Sequence, residues 1–325
     1  MNRTVLILPF YGSLPWYFNF FLKSLDGVKL DVLFVSDLIP NEYPPNFKLL
    51  DMEIKALEDL VNSKLNTNIT FKNSYKLCDF KPMYGKIFED YIKRYDYWAF
   101  GDCDLIYGKS LNMVLDDIEN SDWDIASFRK KWISGGFCLL KNVDRINNLF
   151  RGVRTLGEML TCENYDYFDE IGGNWFDDLE SGRISLEDCA MRRDSFSSLV
   201  WRTSDIRLFH EDLLCEDPVK EHIVYMDEGN LKLDAKSVPI FHYINAKHLG
   251  RFTGKERPYH KIKAYRVTWQ GHFCSDTEWA LRRLISFNRN IRLHARAYGN
   301  LMRKRGFMAF VRHIAGRVLG LKGLR

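Results

Sequence analysis

At 325 residues, with 46% hydrophobic and 14% aromatic content, the chain carries the apolar material for a large buried core, which excludes a disordered polypeptide. The net charge of +4 conceals a split: all 43 acids precede Trp279, and 12 Lys or Arg follow it, so an acidic body carries a basic tail. No run of about 18 apolar residues occurs, which excludes a membrane-spanning helix, and seven scattered Cys without a C-x-x-C pair argue against a disulfide framework or a zinc site and for a reducing cytoplasm.

The elements follow in chain order. Residues 4–10, TVLILPF, are too short an apolar run for a secretion signal and predict the first strand. A helix is predicted over 15–24, a strand over 30–35, a helix over 53–65 and another over 82–94, entered through Pro82. A strand over 97–100, a helix over 111–119 and strands over 125–128 and 137–140 complete the regular part. This alternation predicts βαβ units and an α/β fold with a mostly parallel sheet flanked by helices. Beyond about residue 150 the pattern turns irregular, with polar and aromatic stretches such as CENYDYFDEIGGNWFDD, better suited to shaping a pocket than to filling a core.

The chemistry concentrates in YDYWAFGDCDLIYG, residues 95–108. An apolar strand candidate ends in Asp102 and Asp104, where an α/β sheet exposes side chains to ligand. In an extended backbone the two carboxylates of D-x-D point the same way, as hard oxygen ligands for Mg²⁺ or Mn²⁺ that leave coordination positions for a nucleotide diphosphate. The LIYG that follows reads as a turn-like exit. A second pair, Asp122 and Asp124, precedes a strand and reads as solvated turn residues.

Other candidates gather around this pair. Phe10 and Tyr11, where the first strand runs into a turn, offer stacking surfaces for a base; Asp37, at the second strand's end, offers hydrogen bonds to base or ribose, or serves as a turn cap. Lys81 is positioned to neutralise a phosphate, while Lys76 and Lys86 read as a solvated face. The SGGF loop at 134–137 lets a substrate approach the backbone or permits a tight turn. Two acidic pairs, Asp169 with Glu170 and Glu187 with Asp188, are candidate catalytic carboxylates. His242, after a late apolar run, is a candidate to complete a metal site with Asp102 and Asp104, or is a strand-end histidine satisfied by backbone; Lys247, five residues on, is a candidate contact to a diphosphate.

Together these residues resemble a nucleotide-sugar-dependent glycosyltransferase of the GT-A fold. More closely, the chain is similar to a bacterial family of glycosyltransferase-like proteins with a PYFG-like strand, a CDFKP-x-YG helix start and a D-x-D-L-I-x-G block, here PFYG (9–12), CDFKPMYG (78–85) and DCDLIYG (102–108). The similarity spans about residues 4–250, and its layout also resembles the glycogenin-like transferases. It implies a UDP-sugar donor, Mn²⁺ or Mg²⁺, a glycan or lipid-linked acceptor and a role in bacterial surface polysaccharide synthesis. It implies metal ligation by Asp102, Asp104 and His242; for an inverting enzyme, Asp188 or Glu187 is the first candidate base.

The expected organisation is a GT-A-like domain over 1–275 and a basic amphipathic helical tail over 276–325. In the tail, Leu301, Phe307, Phe310, Val311, Ile314 and Val318 recur at helical spacings among arginines, the pattern of a helix docking on anionic lipid at the inner face of the cytoplasmic membrane; the alternatives are a helix packed on the acidic body or a nucleic-acid contact. No nucleic-acid partner is expected. Rival readings are a metal-dependent phosphohydrolase, disfavoured by the lack of a denser carboxylate or His cluster near Asp102, and a non-catalytic sugar-binding module.

Overall fold

The computed structural model describes residues 3–216, 224–244, 258–268 and 271–273. The chain divides into two units, Met1–His272 and Phe273–Arg325, and apart from Phe273 all described residues belong to the first. The basic tail, with its expected amphipathic helix, lies outside the described residues.

The fold is mixed α/β. A seven-stranded sheet runs in the order β3 (Phe47–Asp51), β2 (Leu30–Ser36), β1 (Thr4–Pro9), β4 (Tyr97–Gly101), β7 (Phe137–Lys141), β6 (Ile125–Ser127), β8 (Leu208–His210). Every strand runs parallel except β7, which is antiparallel to both β4 and β6. The apolar residues of β1 explain its central place. Val5 and Ile7 enter one buried cluster with Trp98 and Phe100, whereas Leu6 and Leu8 enter a second with Val32 and Phe34 on the opposite face. Side chains alternate across a strand, so a strand apolar at every position must be covered on both faces. Each such side chain, taken fully from water, contributes roughly 1.5–3 kcal/mol.

Helices α1 (Phe18–Ser24), α2 (Ile54–Leu65) and α4 (Leu111–Asn120) fall within the predicted spans at 15–24 and 53–65 and one residue beyond that at 111–119. The predicted helix over 82–94 is not there. A 3-10 segment, Ser74–Met83, precedes a single α turn, α3 (Tyr84–Ile87), and Pro82 lies inside the former. In a 3-10 helix residues three apart stack, which brings Lys76 Nζ to 2.8 Å from Asp79 Oδ2. Gly85 is required where α3 meets the sheet, because a Cβ there would lie 2.4 Å from the Trp98 indole.

Two further corrections concern the acidic turn. Asp102 to Asp104 form a turn, not an extended segment, and the following residues form a strand, β5 (Leu105–Tyr107), not an exit loop. This strand joins a second, three-stranded sheet in the order β5, β13 (Ile240–His242), β9 (Leu214–Glu216). Strand β13 is antiparallel to β5 and parallel to β9. A third sheet orders β12 (Lys236–Ser237), β11 (Asn230–Leu233), β10 (Val224–Asp227), β14 (Ala264–Thr268) and β15 (Gly271–Phe273).

Candidate active site

The small sheet brings residues far apart in sequence to the end of β4. Register pairs Leu105 with His242, and the Tyr243 N–H donates to the Asp104 carbonyl at 2.9 Å. His242 Nε2 thereby lies 3.3 Å from Asp104 Oδ1. Asp102, Asp104 and His242 each offer one ligand atom, all within 4.8 Å of one another. Two hard carboxylates and an imidazole suit Mn²⁺ well and Mg²⁺ in part, since Mg²⁺ prefers oxygen donors throughout.

The electrostatics agree with the donor set. Burial alone would lower the pKa of His242, but hydrogen bonds to Asp104 and Glu216 and the charges of Asp104 and Asp102 raise it to about 9. A corner that holds a proton this firmly holds positive charge generally, and a divalent cation competes for the same carboxylates.

Lys81 is buried beside this corner. Its ammonium donates to Asp102 Oδ1 at 2.8 Å and to the Gly135 carbonyl at 2.8 Å, and lies 3.7 Å from Asp169 Oδ2. Burial opposes its charge, yet Asp102, Cys78 and Asp169 hold its pKa well above the ordinary value. Asp169 accepts a hydrogen bond from the Tyr165 hydroxyl at 3.0 Å, and Glu170 accepts one from the Gly135 N–H at 3.0 Å. Burial raises both carboxyls; Lys81 opposes the shift at Asp169, where Glu170 adds to it, and the Gly135 N–H and Lys81 oppose it at Glu170. Glycine is needed at 135, where a Cβ would lie 2.6 Å from Asp169 Oδ2 and 2.8 Å from Glu170 Cδ.

These groups share one cleft of about 580 Å³, a size that takes a small-molecule substrate. It opens at the C-terminal ends of β1 and β4, and Phe10, Tyr11, Asp102, Asp104, Glu170 and His242 all line it. The Tyr11 hydroxyl donates to the Met52 carbonyl at 3.0 Å, fixing the ring against the chain that leaves β3.

Several expected residues stand elsewhere. Asp37 is exposed and does not line the cleft; the hydrogen bond at that turn comes from Ser36, whose hydroxyl donates to the Phe10 carbonyl at 2.5 Å. Glu187 and Asp188, the first candidates for a base, also lie outside it. They open helix α5 (Leu186–Arg192), where Asp188 accepts from the Ser185 N–H at 2.7 Å and closes a capping box. Acids favour a helix's first turn, where N–H groups lack partners, so this pair is accounted for by capping. Lys76 is buried against Asp79 and is not part of a solvated face, whereas Lys86 is half-buried and pairs with Glu89 at 2.8 Å. Asp122 is exposed as expected, but Asp124 is buried, accepting from Arg145 at 2.8 Å and from the Arg207 N–H at 3.0 Å. Lys247 lies outside the described residues.

Sequence reasoning missed Glu216, Arg129, Tyr75 and Tyr165. Glu216 ends an apolar stretch, LLCE, with an acid at a strand end, the same signal that marked Asp102, but the strand is only three residues long. The six described cysteines are free thiols.

Solved structures similar to the chain include three distant ones. Mouse xyloside xylosyltransferase 1 in its apo form is 11% identical, with 73% of this chain and 96% of that one covered at a TM-score of 0.39. S. aureus TarS 1-349 is 18% identical over 40% and 36% of the two chains, at 0.23. A197 from STIV is 16% identical over 43% and 64%, also at 0.23. Scores this low carry no argument about activity. No curated protein matches the chain. A family model described as "Family of unknown function (DUF6625)" matches residues 6–266, and the chain belongs to that family.

Proposed function

We propose that the chain is a divalent-cation-dependent glycosyltransferase of GT-A type, moving a sugar from a nucleoside-diphosphate donor, a UDP-sugar, to a hydroxyl of a glycan or lipid-linked acceptor. The observation that carries this is the meeting of Asp102, Asp104 and His242 at the C-terminal end of a central strand, inside a cleft walled by Phe10 and Tyr11. In a parallel sheet such strand ends are where nucleotides bind.

Each residue then has a task. Phe10 and Tyr11 flank the base. Asp102, Asp104 and His242 hold the cation, which when bound neutralises the charge that develops on the departing diphosphate. Lys81 balances Asp102 and Asp169, so that the half-buried and the buried carboxylate stay close to it together. Asp169 and Glu170 are the acids the cleft presents to the transferred sugar, as acceptors for its hydroxyls or as the base toward the incoming hydroxyl. Glu187 and Asp188 have no such access. Among the described residues no helix is long and apolar enough to cross a membrane. To the basic tail, by its sequence pattern of apolar residues among arginines, we assign docking on an anionic lipid surface.

Thermal denaturation with UDP-, GDP- and CMP-sugars, with and without Mn²⁺, tests the assignment. One nucleotide sugar is expected to raise the melting temperature in a Mn²⁺-dependent way, and Asp104→Asn to abolish that rise while keeping the unliganded fold. Stabilisation by free glycans alone, or the same rise in Asp104→Asn, would contradict it.

A further inference from the structure

An imidazole has two nitrogens, and the hydrogen bond at one decides what the other can do. His242 Nε2 faces Asp104, while Nδ1 lies 3.0 Å from Glu216 Oε1. This contact follows from strand pairing. Strands β13 and β9 run parallel with His242 directly opposite Glu216, so the carboxylate is delivered to the imidazole by the backbone ladder. A carboxylate at Nδ1 keeps a proton there, so that a cation in the corner occupied by Asp102 and Asp104 displaces only the Nε2 proton and meets that nitrogen's lone pair.

Glu216 is itself held. Arg129 pairs with its other oxygen, Oε2, and the guanidinium lies 5.9 Å from the centre of the Trp132 ring. Both residues belong to the β6–β7 loop, whose far end supplies Gly135 and Gly136 to the cleft. The same loop presses on the small sheet: a Cβ at Gly136 would lie 3.0 Å from Leu214 Cδ2 and 3.5 Å from the His242 ring. Arg129, Glu216 and His242 thus form a chain from the glycine loop to the acidic corner.

We propose that Glu216 is a positioning residue that orients His242 as a metal ligand, and that Arg129 anchors Glu216 to the β6–β7 loop. The inference rests on the metal site proposed above and adds the residues that hold it in shape. A histidine ligand left without such a partner can rotate or present the wrong nitrogen, and loss of one outer contact typically weakens metal binding by about 10–100-fold.

The test uses Mn²⁺ alone with the full chain. Calorimetric titration gives the affinity, and electron spin echo modulation from imidazole ¹⁴N reports whether His242 is bound to the ion. The wild type is expected to show both binding and ¹⁴N modulation, and His242→Ala to lose the modulation. Glu216→Gln, close in shape but uncharged, is expected to bind about 10–100-fold more weakly with reduced modulation, although its circular dichroism is unchanged. Wild-type affinity and modulation in Glu216→Gln would overturn the positioning role while leaving the metal site intact. A wild type that binds no Mn²⁺ overturns the metal site and this inference together. Should Glu216→Gln fail to fold, Arg129→Met keeps the carboxylate and removes its anchor; a several-fold weaker affinity supports the chain of contacts, and an unchanged one overturns it.

Discussion

One 3-10 segment, Ser74–Met83, buries two lysines five residues apart, and their surroundings differ. At its start Lys76 pairs with Asp79 at 2.8 Å and donates to the Asn164 carbonyl at 3.0 Å, while Asp79 also accepts from the Asp166 and Phe168 N–H groups at 2.9 Å each. At its end Lys81 pairs directly with Asp102 at 2.8 Å and lies 3.7 Å from Asp169 Oδ2, an oxygen with no hydrogen-bond partner among the described residues. In the first pair both carboxylate oxygens are hydrogen-bonded, so it is saturated on its acidic side and staples the segment to the loop that carries Asp169 and Glu170. The second leaves one buried carboxylate oxygen, Asp169 Oδ2, unbonded in the wall of the cleft. A buried ion pair whose carboxylate is fully hydrogen-bonded is scaffold; one that leaves an oxygen unbonded beside a cavity is poised for a ligand.

The largest expected effect is on the saturated pair. Asp79→Ala strands a buried ammonium and two backbone N–H groups, and is expected to cost about 3–5 kcal/mol in urea denaturation. The double variant Lys76→Met with Asp79→Leu removes the stranded ammonium but leaves the Asp166 and Phe168 N–H groups unpaired, and is expected to recover part of that loss. A double variant as unstable as the single would mean that the unpaired N–H groups, not the ammonium, carry the cost.

A smaller effect of opposite sign is expected at the other end. Burial raises the Asp169 carboxyl well above its ordinary value, with Lys81, Glu170, Asp79 and Tyr165 around it. A carboxyl whose folded pKa exceeds its unfolded one favours the fold at low pH, and that contribution is lost as pH rises through the folded value. Asp169→Asn is therefore expected to melt higher than wild type at neutral pH, with the gap closing as the pH falls toward the ordinary carboxylate range. It is also expected to lower transfer. A gap that widened on acidification would contradict the raised value.

The smallest effect is expected at Asp188, whose carboxylate caps α5. Asp188→Asn should leave transfer at the wild-type rate in a UDP-release assay; a large loss would return it to the site.

The acidic corner is legible in the sequence because Asp102 and Asp104 follow an apolar run that reads as a buried strand, and His242 follows another. Their convergence was not visible. It depends on the pairing of β5 with β13, well over 100 residues apart in sequence, between strands of three residues each. Short strands carry too few alternations to declare themselves. The helix over 82–94 was misread because Lys76, Asp79 and Lys81 commit to tertiary partners in a 3-10 geometry that a 3.6-residue pattern does not describe. Acids at 187–188 and 169–170 look alike in sequence; a cap and a cleft acid differ only in what surrounds them.

The most direct test of the account is calorimetric titration of Mn²⁺ with UDP into wild type and into the Asp102→Asn, Asp104→Asn double variant. The account predicts one Mn²⁺ per wild-type chain, bound more tightly when UDP is present, and no binding to the variant. Equal affinity in the two proteins, or no response to UDP, would contradict it.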